Sequence, residues 1–232
     1  FAPREQTMRV LHVFAAGWIA VLDMAVGMLI VYLFEEDMGQ AHSLTHYILG
    51  AGIAVLPDLD IVFAFPYGRA KSAGSADHHQ ALPHRPLVFL PAAALTADLI
   101  GGGEWAIIVT VCLLWHYLHD THPLGGGLAW LWPFSRMYIS LVPGIPSIRP
   151  EDSIMALPNL QVEWVTKNVF VPTKRCVTET VASSLFIAVV LGDLWGVWIG
   201  YAFAVVEWAV VVGIWLGYSH LKGRDKGRAV RG

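Results

Sequence analysis

Residues 112–134 read CLLWHYLHDTHPLGGGLAWLWPF. An apolar run of the kind that forms a membrane helix ends in His116, His119, Asp120 and His122. Imidazole and carboxylate groups are costly at the edge of a bilayer, so four of them within seven residues call for a reason. His116 and Asp120, spaced i and i+4, lie on one helix face one turn apart, and His119 sits on an adjoining strip. Pro123 and the glycines at 125, 126 and 127 then stop the helix. Trp130 and Trp132 suit a chain lying in the headgroup layer. Taken as a set, these side chains point to a metal centre, because other His and Asp clusters follow the same logic.

Composition sets the fold class. The 232 residues are 56% hydrophobic and 14% charged, too apolar for an ordinary soluble domain. The expectation is an all-α, polytopic membrane protein with about six transmembrane helices. The apolar runs are Val10–Phe34, Leu44–Phe65, Pro86–Ile100, Trp105–Asp120, Cys176–Leu191 and Trp195–Tyr218. A span of about 30 Å of hydrocarbon needs about 20 helical residues. The first run is too long for a signal-peptide core and lacks a small-residue cleavage site. Residues 1–221 form one integral membrane domain with a proline-rich loop over 122–176, and 222–232 form a basic, disordered tail. Six spans with both termini on one side place all 15 Lys and Arg on that side, which makes it cytoplasmic. Cys112 and Cys176 form no pairing motif and read as reduced, structural residues.

The same sorting brings several candidate ligands to the cytoplasmic face. Leu56-Pro57-Asp58-Leu59-Asp60 closes the second run. If proline leaves this segment extended, Asp58 and Asp60 point the same way, and two such carboxylates repel unless a cation lies between them. His79 and His84 come from the next loop, and His116 and Asp120 from the fourth run. Six mixed imidazole and carboxylate ligands suit one or two divalent ions: zinc first, with manganese or iron as alternatives. His46, His119 and His122 are secondary candidates, His46 because it starts at the other end of its helix, about 18 Å from Asp58. Asp23, Asp98 and Glu207 fall inside apolar runs, where acids are functional suspects.

The ordered set Thr45-His46-Gly50, LPDLD at 56–60, His79 with His84, His116 with Asp120, and Leu131-Trp132-Pro133 resembles the YdjM-type family of membrane-bound metal-dependent hydrolases. The resemblance covers residues 44–134. It implies a small helical membrane protein with a His/Asp metal centre, and it adds His46 as a functional residue. The family often carries HRGxTH, where this chain has His79-Gln80-Ala81-Leu82-Pro83-His84, and His after its PDxD unit, where this chain has Ile61.

Two functional readings follow. One is a metal-dependent hydrolase in the cytoplasmic (inner) membrane, acting on a phosphoester or lipid-linked substrate. In it, Asp60 takes a proton and Arg85 pairs with a phosphate. The other is a non-catalytic metal-binding subunit of a larger membrane complex. The altered HRGxTH string favours the second and predicts bound metal with little hydrolysis of simple phosphoesters. An ion transporter would need the acids of runs one, three and six to line a path. The expected partners are membrane lipids, the substrate or neighbouring subunits. No nucleic acid is expected, since membrane orientation accounts for the basic tail.

Overall fold

The computed structural model describes residues 3–59, 79, 81–121, 127–140, 147–150 and 171–229. Among them are six α-helices and no strand: α1 Pro3–Asp37, α2 Leu44–Ala54, α3 Pro86–Gly101, α4 Gly103–Asp120, α5 Lys174–Trp195 and α6 Val197–Ala229. Two 3₁₀ turns, Leu56–Asp58 and Leu82–His84, lie between α2 and α3. The chain divides into two compact units, Asp23–Trp164 and Phe1–Leu22 with Val165–Gly232.

In the Asp23–Trp164 unit, α1 and α2 cross at paired glycines. A Cβ on Gly27 would stand 2.2 Å from the Gly50 carbonyl oxygen, and one on Gly50 would stand 2.5 Å from the Gly27 oxygen. Only hydrogen at both positions lets the two backbones come this close, as small residues do where helices pack tightly. Helices α3 and α4 form a hairpin. Gly102 turns it at φ 85°, and its N–H closes α3 onto the Asp98 carbonyl. Pro86 opens α3 at a position where no helical N–H is required.

The core of this unit is Val109, Leu113 and Tyr117 of α4 with Leu128, flanked by Ile53, Phe89 and Trp130. After α4 the chain folds back on the helix end. Ile139 N–H donates to Leu128 O at 2.8 Å, and Tyr138 and Ile148 exchange a pair of backbone bonds. Trp130 Nε1 donates to Thr121 Oγ1 at 2.9 Å, and Tyr117 OH donates to Pro83 O at 2.8 Å. These bonds tie the 3₁₀ turn at 82–84 and the loop at 127–140 to the last turn of α4.

In the other unit, α5 and α6 form a second hairpin. Thr173 caps α5 by accepting from Cys176 N–H, and Gly196 turns the chain at φ 95°. Ser183 and Ser184 of α5 both donate to the Glu207 carboxylate of α6, the second at 2.8 Å. The α5 segment Lys174–Trp195 and the α6 segment Val197–His220 are the two described helices long and apolar enough to cross a membrane.

Three expectations change. The run 44–65 does not continue as one helix: α2 ends at Ala54 after 11 residues, about 16 Å, because Pro57 cannot donate to a helical ladder. The backbone at 56–59 is not extended either. Proline sits comfortably in a first helical turn, so Leu56–Asp58 is 3₁₀ and Leu59 follows with αR dihedrals. Asp58 is therefore aimed by a helical turn and not by strand alternation. Lastly, α6 runs on to Ala229 where a disordered tail is expected. Lysine and arginine are good helix formers, so a basic sequence is no bar to helix.

Candidate metal centre

Two of the four central side chains are delivered by the same local device. Leu56-Pro57-Asp58 and Leu82-Pro83-His84 are both single 3₁₀ turns with proline near the start and the polar residue at the end. The other two, His116 and Asp120, come from successive turns at the end of α4. The hydrogen bond from Tyr117 to Pro83 O ties the second 3₁₀ turn to the helix that carries His116.

The four side chains converge. His84 Nε2 lies 3.5 Å from Asp58 Oδ1 and 3.6 Å from Asp120 Oδ2. His116 Nε2 lies 3.7 Å from Asp58 Oδ1 and 3.2 Å from Asp120 Oδ2. All four ligand atoms fall within 4.8 Å of one another. Donors about 2.1 Å from one tetrahedral ion stand ~3.4 Å apart, which is the spacing of these four edges. They are too long for good charge-assisted hydrogen bonds, which close to about 2.7–2.9 Å. His116 is fully buried, and neither of its ring nitrogens has a hydrogen-bond partner among the described residues; nor does Asp120 Oδ2. Buried polar atoms are almost always satisfied, so the donor set fits a cation at its centre. This His/Asp cluster could hold a metal ion.

The surroundings are graded. Both histidines of the cluster are fully buried, whereas Asp58 and Asp120 keep 25% and 19% of their side chains exposed, so the cluster opens on its carboxylate side. His79, also buried, stands with Nε2 3.9 Å from Asp120 Oδ2 and Nδ1 3.2 Å from the Gly127 carbonyl, its ring stacked on His84. Arg85 follows His84 directly and lies over the Trp132 ring at 5.6 Å. Burial lowers the Arg85 pKa from its ordinary value, opposed by Tyr138 and reinforced by the Arg136 charge, yet a guanidinium remains protonated through such shifts.

Asp58, His84, His116 and Asp120, four of the six expected ligands, lie together, with His79 against their edge. Asp60 and His122 lie outside the described residues. His46 does not join them: Nδ1 pairs with Glu35 at 2.7 Å, and its ring meets the edge of Trp105. His119 also turns elsewhere, with Nδ1 2.9 Å from Asp23 Oδ1. Asp98 is exposed near the end of α3. The residue that spacing does not place at the site is Asp23, which reaches His116 from α1. Its one sequence signal is an acid in the middle of an apolar run.

Set against known proteins, the chain matches no family model, no curated protein and no solved structure.

Proposed function

We propose that this chain is an integral membrane metalloprotein and that its metal centre serves hydrolysis of a phosphoester or lipid-linked substrate at the cytoplasmic face. The observation that carries this reading is the set of four ligand edges between 3.2 and 3.7 Å, drawn from three separate segments. Asp58, His84, His116 and Asp120 would hold the ion. Zinc fits the imidazole and carboxylate donors best, with manganese or iron as alternatives. Such an ion supplies Lewis acidity toward an ester or phosphoryl oxygen and lowers the pKa of water toward neutrality. The partly exposed carboxylate side is where a substrate would enter. Arg85, beside His84, is suited to hold a phosphate oxygen, and Asp60 is the candidate to take the proton. His79 and Asp120 would be the start of a second ion site.

Six membrane helices with both termini cytoplasmic remain the topology we favour, supported by the sorting of all 15 basic residues, with α2, about 16 Å long, entering the bilayer without crossing it as a helix. Exposed Leu95, Leu99, Ile100, Trp198, Val205 and Leu216 also suit a lipid environment. The resemblance to YdjM-type hydrolases supports the same reading. A second reading has its own observation: Gln80 and Ala81 stand where that family often carries Arg and Gly, which favours a non-catalytic metal-binding subunit.

Metal analysis of the purified full chain tests the proposal. The parent should retain a divalent ion that His84→Ala and His116→Ala each lose. Equal metal in all three proteins would refute the site. Metal-dependent turnover of phosphomonoesters, phosphodiesters or lipid phosphates by the parent supports the hydrolase. Bound metal without turnover of any of them supports the subunit.

A further inference from the structure

Asp23 is a buried acid that neither the ligand set nor the proposed reaction uses. It is 2% exposed on α1, in the middle of an apolar run, where an unpartnered carboxylate would be very costly. One of its oxygens, Oδ1, accepts from Trp115 Nε1 at 2.8 Å and from His119 Nδ1 at 2.9 Å. Those two donors sit one turn apart on α4, with their rings stacked at 6.0 Å. They hold the carboxylate in one orientation. Its second oxygen, Oδ2, is thereby aimed at His116 Nδ1, 3.5 Å away. The opposite nitrogen of the same ring, Nε2, is the one that faces Asp58 and Asp120.

We propose that Asp23 is a positioning residue for the metal centre. It accepts the Nδ1 proton of His116, which fixes the tautomer that leaves Nε2 bare for the ion. The inference rests on the metal reading above. Metal-bound histidines usually give their second N–H to a carboxylate or carbonyl, and the hydrogen bond at one ring nitrogen sets the state of the other. The 3.5 Å separation is long for a closed bond. Such contacts often tighten only in the loaded state. Trp115 and His119 contribute at one remove, by keeping Oδ2 turned toward the ring. This gives His119, set apart from the ligand cluster, a place in the site.

The geometry yields a test that a merely structural role would fail. Asp23→Asn can keep its carbonyl oxygen against Trp115 and His119, preserving the clamp. Its amide nitrogen then faces His116 Nδ1 and donates to it, which drives the ring proton onto Nε2, the ligand atom. Asp23→Ala removes the clamp altogether but leaves the ring free to choose its tautomer. A positioning role therefore predicts that Asn is worse than Ala for metal, although Asn is the gentler change for packing.

Zn²⁺ affinity would be measured by chelator competition on the full chain in lipid nanodiscs, with Co²⁺ absorption as the spectroscopic signature. Expected is a 10- to 100-fold loss for Asp23→Asn, about the range seen when such partners are removed, with collapse of the Co²⁺ bands and a smaller loss for Asp23→Ala. Equal affinity of Asp23→Asn and parent overturns the inference and leaves the metal site standing. A greater loss for Ala than for Asn overturns it in favour of packing. A parent that binds no Zn²⁺ overturns both. Should Asp23→Asn fail to fold, ¹⁵N-labelled imidazole in the Zn²⁺-loaded parent decides. A downfield, hydrogen-bonded Nδ1–H on His116 that Trp115→Phe weakens is expected; a proton on Nε2, or a signal indifferent to Trp115→Phe, overturns the inference.

Discussion

Gly27→Ala should couple helix packing to metal affinity. A Cβ at this position would meet Gly50 O at 2.2 Å, Gly50 C at 2.7 Å and Ala54 Cβ at 2.8 Å. Real Cβ contacts essentially never fall below 3.0 Å, so α1 and α2 must part by about 0.8 Å or more. Two of these three neighbours are backbone atoms, which cannot rotate away. Overpacking of this kind costs about 1–3 kcal/mol. Gly27 lies one turn beyond Asp23 on the same face of α1, so the shift also draws Asp23 from Trp115, His119 and His116. A loss of 1.4 kcal/mol at that contact is about tenfold in affinity. The control is Gly52→Ala, whose Cβ would meet nothing within 4 Å and which should be neutral or slightly stabilising through helix propensity. Denaturant midpoints and Zn²⁺ affinities of parent, Gly27→Ala and Gly52→Ala provide the assay. If Gly27→Ala is as stable and binds as tightly as Gly52→Ala, the glycine crossing does not hold α1 in place and the reasoning fails.

Ca²⁺ in tenfold excess should fail to displace Zn²⁺ in a competition measurement, because calcium takes six to eight oxygen ligands and this cluster offers four donors, two of them imidazole nitrogens. Glu207→Ala should lower the unfolding midpoint of the chain in micelles, by about 1 kcal/mol or less, since Ser184 loses its acceptor while Ser183 still has the Thr180 carbonyl within reach. Cysteine placed at Glu36 should label with a membrane-impermeant maleimide from outside the cell and cysteine at Ser72 only after permeabilisation, with little background because Cys112 and Cys176 are buried; reversed accessibility would end the six-span topology.

The end of α4 was legible because its chemistry is local. His116 and Asp120 are one turn apart in any helix, whatever surrounds them, so spacing alone aligns them. The two Leu-Pro-X turns could have been recognised as a matched pair, since each has proline where a 3₁₀ turn tolerates it and a ligand at its end. What spacing could not supply was the rotation of α1. Asp23 is 93 residues from His116, and only the glycine crossing and the Trp115–His119 clamp decide which way it points. His46 shows the opposite case. Its partner, Glu35, is only 11 residues away across a short connection, and that local pair draws its ring to the far end of α2. The interruption at Pro57 was readable in the run at 44–65, but not its form: the helix already stops at Ala54, and proline sits in a 3₁₀ turn, because it lacks the N–H that a continuing helix would need.

The Glu207 contact has a consequence for how the last two helices find each other. Leucine, valine and alanine faces slide past one another with little change in energy, and in lipid no hydrophobic force selects one alignment. Consecutive serines point ~100° apart around a helix, so they can flank one carboxylate at a single rotation and a single height. A slip by one turn, about 5.4 Å, would take both hydroxyls off Glu207 at once. The α5–α6 hairpin is thus keyed like a lock with two wards: its apolar surface is interchangeable, and three polar side chains determine the one alignment in which it closes.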